Sequence, residues 1–527
     1  MTTARAFALA LAALAGAATV AGFAPFGLAP LPVLTLSLLF VQWRHAVTAR
    51  AAAETGFAFG VGLFGAGVPW VFIALETFGG MPTAIAIVAT AAFVAYLAVW
   101  PALAGYAAAR FTAPGSFARL LAAAATWTLA EWLRGFVLTG MPWLSVGYAQ
   151  LPGSALAGYA PIGGIYLVSL AVAVVAAMVA DVYDALATGM WRRIGAAAAM
   201  TAIVLGGGFV VARLEWTHPE GAPLAVSLVQ GNVLQEEKFD PEFRERTFEV
   251  YAQLVEGSKG QLVVLPESAF PMFSDEVPDR VLLDLIRTAS ARNGDVLLGL
   301  FTAEAPLPGT DDVRYFNTVL SLGASDLQLY RKRHLVPFGE TIPGKAVFGF
   351  LINRVLAIPL ADQTPGAAAQ PPFAVAGVKV SVNICYEDAF GAELIDAARN
   401  AGLLVNVTND AWYGRSIAAW QHNQMGAMRA LELGRPMLRA TNTGITSAIG
   451  HDGRVLAQLP WFTRGVLEVT IRPRAGATPY QKLSDGLALG LALTLFGMAI
   501  ALATRRNPDP VKSTLLRRPD RFSGPAD

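Results

Sequence analysis

The chain has 527 residues, of which 54% are hydrophobic and 15% charged, and its formal net charge is +1. Mean hydropathy is +0.49, whereas a soluble domain carries roughly 25% charged residues. This composition is that of a membrane protein, and the near-neutral charge excludes nucleic acid as a partner. One cysteine excludes an internal disulfide and a multi-cysteine metal site.

A span requires roughly 20 apolar residues. Segments 6–23, 31–43, 55–75, 84–109, 118–136, 162–182, 194–211 and 486–504 are candidates, the second being short and opening near Pro32. The basic residues alternate between loops. Arg5, Arg44, Arg50, Arg110, Arg119, Arg192, Arg193, Arg505 and Arg506 fall on one side, and loops 25–32 and 76–82 carry none. The positive-inside rule then puts both termini in the cytoplasm and the polar stretch 218–482 outside it. The expected division is helices over 1–217, a domain over 218–482, a last helix over 483–506 and a basic tail over 507–527. In 131–143, Glu131 and Arg134 read as a helix-end ion pair flanked by aromatic interface anchors.

From Leu224 the pattern changes to alternating strands and helices. Strands are expected at Leu224–Gln230, 261–265, 295–301, 318–322, Val378–Ile384, 403–407, 436–441, 445–450 and 466–471. Helices are expected at 240–257, 279–293, 389–401 and 423–433. Such alternation indicates a layered α/β domain.

Three reactive residues sit at expected strand ends. Glu267 follows the strand ending in Leu265, Lys332 follows another, and Cys385 ends the run Val378–Ile384. Chemistry in layered α/β folds gathers at carboxyl ends of strands. A thiolate attacks, a carboxylate takes its proton, and a fixed ammonium stabilises an oxyanion. Taken singly, each has a plainer reading: a small buried side chain, a solvated strand end, one member of the basic run Arg331–Arg333.

Together the motifs resemble the nitrilase superfamily, whose hallmark is a Glu-Lys-Cys triad in an αββα sandwich. The resemblance is closer to the apolipoprotein N-acyltransferase family, which joins such a domain to about eight membrane spans. It rests on Leu228 to Asn232, Leu265-Pro266-Glu267, His334 to Glu340, Cys385-Tyr386-Glu387-Asp388, Asn409 to Gly414, Gly434-Arg435-Pro436, Thr441 to Gly444 and Glu131 to Trp143. It covers the chain from the first span to the last. Two departures are Phe239 where the family often has Trp, and Ala418-Ala419 where it often has Gly-Pro.

The resemblance implies a membrane helix bundle carrying an extracytoplasmic αββα domain. It implies Glu267, Lys332 and Cys385 as catalytic residues, with Glu340, Tyr386 and Glu387 supporting. Phe239, Trp412, Tyr413 and Trp420 are expected to meet substrate, and the apolar stretch 347–352 to act as a lid or membrane-dipping arm. The implied reaction takes an acyl chain from a phospholipid, typically phosphatidylethanolamine. It passes the chain to the N-terminal amine of a diacylglyceryl-modified apolipoprotein. The implied setting is the bacterial inner membrane, with the domain on the periplasmic side, as a monomer, with no cofactor or metal. Two alternatives stay open: a membrane-tethered amidase using water as acceptor, and a transporter with an external domain.

Overall fold

The structure, a computed structural model, describes residues 3–151, 153–305, 313–341 and 362–505. The stretch 347–352 and the tail 507–527 lie outside the described residues.

Eight helices match the eight apolar segments: α1 (Thr3–Thr19), α2 (Leu31–His45), α3 (Ala49–Gly67) with its continuation α4 (Trp70–Ile73), α5 (Thr83–Arg110), α6 (Phe117–Arg134), α7 (Ala160–Ala187), α8 (Trp191–Val211) and, at the end of the chain, Gly486–Arg505. Side-chain caps start two of them. Thr48 accepts from Ala51 N and Ser116 from Arg119 N, satisfying amides that lack intrahelical partners. Among the described residues, five helices are long and apolar enough to cross a membrane, and a sixth if α3 and Trp70–Phe78 form one span bent by 54°. The expected count of eight is therefore not reached on length and composition. Helix α2 has only 15 residues, and α6 carries Arg119, Glu131 and Arg134. The bend after α3 falls at Pro69, which has no N–H to continue the helical ladder.

Without a hydrophobic driving force between helices in lipid, small residues set their approach. A Cβ at Gly16 would stand 2.0 Å from Phe59 O, and one at Gly62 would stand 1.9 Å from Ala13 O, so α1 and α3 touch backbone to backbone. Helix α7 is the centre of the bundle, with 83% of its apolar window buried.

Among the described residues, the polar stretch folds as two six-stranded sheets and a small two-stranded one, its first strand paired with its last. After β1 (Thr217–Pro219) come β2 (Leu224–Gln230), the short α9 (Gln235–Lys238), α10 (Arg244–Gly257), β3 (Leu262–Val264), α11 (Asp279–Ser290), β4 (Asp295–Glu304), β5 (Arg314–Gly323), β6 (Leu329–Arg331), β7 (Phe373–Val375) and β8 (Val378–Ile384). Then follow α12 (Gly391–Arg399), β9 (Leu403–Thr408), α13 (Ala418–Leu433), β10 (Met437–Thr441), β11 (Ser447–Ile449), β12 (Val455–Gln458), β13 (Gly465–Ile471), β14 (Arg474–Gly476), α14 (Pro479–Leu483) and the last apolar helix, α15 (Gly486–Arg505). One sheet has the order β13-β2-β3-β4-β5-β6 and the other β12-β11-β10-β9-β8-β7. In each, three strands run parallel at the centre: β2, β3 and β4 in one, β8, β9 and β10 in the other.

Strand alternation then sorts the side chains. Val226, Leu228, Leu262 and Val264 share one buried cluster with Val380, Val382 and Leu404 of the second sheet. Val229, Val263, Val296 and Leu298 point the other way and pack with Phe248, Leu285 and Ala289 of α10 and α11. Helices α12 and α13 lie against the second sheet. This is the αββα sandwich expected.

Boundaries shift in places. The helix expected from 240 opens as a single turn, Pro241–Phe243, before α10. Helix α13 starts at Ala418 rather than 423, and β5 runs from Arg314 to Gly323 rather than 318–322. The strand expected before Lys332 is β6, of only three residues, while the short edge strands β7 and β12 were not anticipated, because three or four residues carry no period.

Candidate active site

Three strand ends meet at one edge of the sandwich. Strand β8 delivers Cys385, β3 leads through Pro266 to Glu267, and β6 is followed directly by Lys332. Cys385 has φ +54°, a left-handed conformation that a non-glycine residue holds only when its surroundings impose it. Here Asn406 Nδ2 and His422 Nε2 grip its carbonyl at 3.0 and 3.2 Å.

Lys332 is 1% exposed, and its ammonium donates to Glu267 Oε1 at 3.1 Å and to Glu340 Oε1 at 2.6 Å. Glu267 is held from three further directions. Asn317 Nδ2 donates to Oε1 at 2.8 Å, Asn409 N donates to Oε2 at 2.9 Å, and Lys238 Nζ donates to its peptide oxygen at 3.0 Å. Glu340 Oε2 accepts from Val336 N at 2.8 Å, which ties the Lys332 loop back on itself.

The electrostatics follow from burial and from these partners. Burial pushes the Cys385 thiol well above its usual range, the Glu267 carboxylate adds to that, and Lys332 opposes it. The thiol therefore rests protonated and needs a base to become nucleophilic. Burial alone would pull Lys332 down, but Glu267 and Glu340 outweigh it and hold the ammonium well above its ordinary value. Lys332 is thus a permanent cation, not a proton acceptor.

The supporting residues take different places. Glu387 accepts from Ile384 N and Arg333 N at 2.6 Å each, from His334 N at 3.1 Å and from Tyr330 Oη at 3.0 Å. It staples the strand before Cys385 to the loop carrying Lys332. Tyr386 Oη donates to Gly140 O at 2.7 Å, reaching a loop of the apolar helical part.

The expected substrate residues separate. Tyr413 packs on Trp70 with ring centroids 4.6 Å apart, and Trp412 meets Phe78 at 6.2 Å. Both rest on the bent segment after α3. Trp420 turns instead to Trp461 at 6.1 Å. Phe239 is half-buried beside Lys238.

The reading of Glu131 and Arg134 as an ion pair is corrected. Glu131 Oε1 accepts from Trp127 Nε1 at 3.0 Å and Val146 N at 2.9 Å. Arg134 donates to Met141 O, to Trp143 O at 2.6 Å and to Ser145 Oγ at 3.2 Å. Each charge folds the loop after α6, and that loop presents Gly140 to Tyr386 and Trp143 to the second sheet's helix. Trp143 Nε1 donates to Gln421 Oε1 at 2.7 Å, Trp70 Nε1 shares that oxygen at 3.3 Å, and Gln421 Nε2 reaches Gly67 O at 3.1 Å.

Several site residues escaped sequence reasoning: Lys238, Asn317, Asn406 and the buried group around His422. His422 Nδ1 contacts Asp410 Oδ1 at 2.8 Å and its Nε2 contacts Asp388 Oδ1 at 2.9 Å, while Arg439 pairs with Asp388. Burial lowers the imidazole, but Asp388 and Asp410 override it and bring its pKa up to about 9. The available signal was position: Asp388, Asp410 and His422 each fall in a phrase on or beside the family motifs.

Comparison with known proteins agrees with this geometry. A model of the apolipoprotein N-acyltransferase N-terminal domain matches residues 15–178, and a carbon-nitrogen hydrolase model matches residues 225–480. The apolipoprotein N-acyltransferase of Nitrosomonas europaea is 48% identical over 93% of this chain and 97% of its own length. The chain belongs to the apolipoprotein N-acyltransferase family. Relatives of the same name from Methylococcus capsulatus and Chromobacterium violaceum are 42% and 41% identical, covering 92% and 94% of this chain and 94% of each relative. Family membership thus spans both the apolar helices and the sandwich, and the meeting of Glu267, Lys332 and Cys385 falls inside the carbon-nitrogen hydrolase match.

Proposed function

We propose that this protein moves an acyl chain from a membrane phospholipid, phosphatidylethanolamine in the first instance, to the α-amine of the diacylglyceryl-modified N-terminal cysteine of an apolipoprotein. The observation that carries the reading is the sole thiol beside a Lys332 ammonium held between Glu267 and Glu340, in a sandwich joined to apolar helices through Gln421.

The chemistry is ping-pong acyl transfer. Glu267 takes the Cys385 proton as the sulfur attacks the ester carbonyl. Lys332 and the Tyr386 N–H stabilise the oxyanion, the latter belonging to the first turn after a strand, where amides lack intrahelical acceptors. Collapse breaks the C–O bond, Glu267 returns its proton to the departing alkoxide, and lysophospholipid leaves a thioester on Cys385. The apolipoprotein amine then attacks the thioester, Glu267 accepts the proton it sheds, the C–S bond breaks, and Glu267 passes that proton to the departing Cys385 sulfur, restoring the resting thiol. Glu340 positions the Lys332 ammonium. Glu387 keeps the Cys385 strand and the Lys332 loop in register. Trp412 and Tyr413, seated on the membrane-side segment, border the acyl path, with Phe239 and Trp420 on the rim.

Substrates anchored in a bilayer explain why residues 1–217 and 483–506 flank the catalytic stretch 218–482. The loop charges support a multi-pass inner-membrane protein with that stretch on the periplasmic side, working as a monomer. The test is incubation with phosphatidylethanolamine and a diacylated lipopeptide. Triacylated peptide is expected. Release of free fatty acid with no acylated peptide would overturn the transfer and favour the amidase.

A further inference from the structure

Lys238 is 3% exposed, yet among the described residues its ammonium has one hydrogen-bond acceptor, the Glu267 peptide oxygen at 3.0 Å. A lysine is almost never fully buried without a charged partner, so this placement calls for a reason. The short helix carrying it is also fastened to the site. Gln235 Oε1 accepts from Asn409 Nδ2 at 2.9 Å, and the Asn409 amide is the one that donates to Glu267 Oε2.

Charge counting supplies the reason. Lys332 alone faces two carboxylates, Glu267 and Glu340. With Lys332 as the sole cation, this buried group carries one net negative charge before the thiol reacts, and an oxyanion forming beside it is opposed. A second ammonium next to Glu267 brings the group to neutrality.

We propose that Lys238 is a positioning residue for the acyl transfer: it fixes the Glu267 peptide and supplies the second positive charge that the two carboxylates on Lys332 require. The proposal rests on the acyl-transfer reading of the site. Titratable groups bearing on Lys238 are Glu267 and Cys385, with Lys332 and Glu340 linked to it through Glu267. On its own helix, Glu237 lines an outer pocket with Arg246 and Arg464. Burial lowers the Lys238 ammonium to about 8, against the pull of Glu267 and Cys385. Cys385 and Lys332 both lie well above their ordinary values. Loss of the Lys238 charge therefore comes first as pH rises.

The experiment is single-turnover acylation of the full-length protein in detergent, with phosphatidylethanolamine as donor, read as mass gain on Cys385 from pH 6 to 9.5. In the wild type the rate is expected to fall above about pH 8. Lys238→Arg, which stays charged throughout, should remove that fall. Lys238→Met should be slower by roughly 10- to 100-fold at neutral pH and show no such limb. A wild-type rate that does not fall, or a fall unchanged in Lys238→Arg, overturns the proposal. A wild-type rate that stays flat overturns the proposal even where a variant fails to fold. Absence of any acyl-enzyme in the wild type would instead refute the acyl-transfer reading itself.

Discussion

Replacing Lys332 by Met separates what the ammonium does for the fold from what it does for the reaction. Methionine keeps the length and apolar stem and deletes only the charge and its three donors. Lys332 is 1% exposed, with carboxylate oxygens at 2.6 and 3.1 Å. Removing one partner of a buried pair costs about 3–5 kcal/mol, because the remaining charge is left uncompensated. Here two carboxylates are left, so the upper part of that range is expected. The catalytic loss is of a different kind. An oxyanion donor contributes about 2.7–4 kcal/mol, a rate factor on the order of 100 to 1,000. The assay is rapid mixing of detergent-solubilised protein with phosphatidylethanolamine, followed by intact mass, alongside a thermal midpoint. Adding Glu340→Gln to Lys332→Met should recover part of the stability, since one uncompensated carboxylate disappears, and none of the acylation. Glu340→Gln alone should slow acylation by less than about tenfold, because its amide oxygen still accepts one hydrogen bond. If Lys332→Met acylates at the wild-type rate, or if the double variant regains acylation, the assignment of Lys332 as the electrostatic donor is wrong.

Cys385→Ala should give neither acyl-enzyme nor product, and a thiol alkylator should inactivate the wild type, since no other cysteine exists to react; residual turnover in the alanine variant contradicts the thioester route. Glu267→Gln should block acylation itself, seen as no mass gain in a single turnover. His422 makes stability depend on pH. Its folded value of about 9 lies above its unfolded one, so its contribution is complete below about pH 6.5 and is lost as pH rises through about 9. The loss amounts to about 3 kcal/mol, and a His422→Gln variant with the same slope in its thermal midpoint between pH 6 and 9.5 rules this out. A topology reporter inserted at Lys259 should read extracytoplasmic and one after Arg505 cytoplasmic; the reverse would separate the catalytic stretch from its acceptor.

The strand endings near Leu265, where β3 stops one residue earlier at Val264, and at Ile384 were legible because a strand buried on both faces is a continuous apolar run. Polar residues at its end mark where burial stops. Alternation of such runs with amphipathic helices made a layered α/β domain legible, whereas the αββα sandwich was expected only from the family resemblance. Lys332 follows an edge strand of three residues; its place after a strand was read from the sequence, but its role apart from the basic run Arg331–Arg333 came only from the resemblance of the phrase around it to a family. What sequence could not contain was contact across distance. Residues 238 and 267, or 388, 410 and 422, meet because separate strand ends and helices converge at one edge, and no local period records that. Glu131 and Arg134 show the limit most clearly. Their spacing of three on one helix is that of an ion pair, yet Glu131 bonds Trp127 and Val146 N while Arg134 bonds the loop folding back over α6. Spacing proposes which charges are neighbours along a helix; the tertiary structure, by bringing unsatisfied backbone groups within reach of buried charges, decides which of them bond.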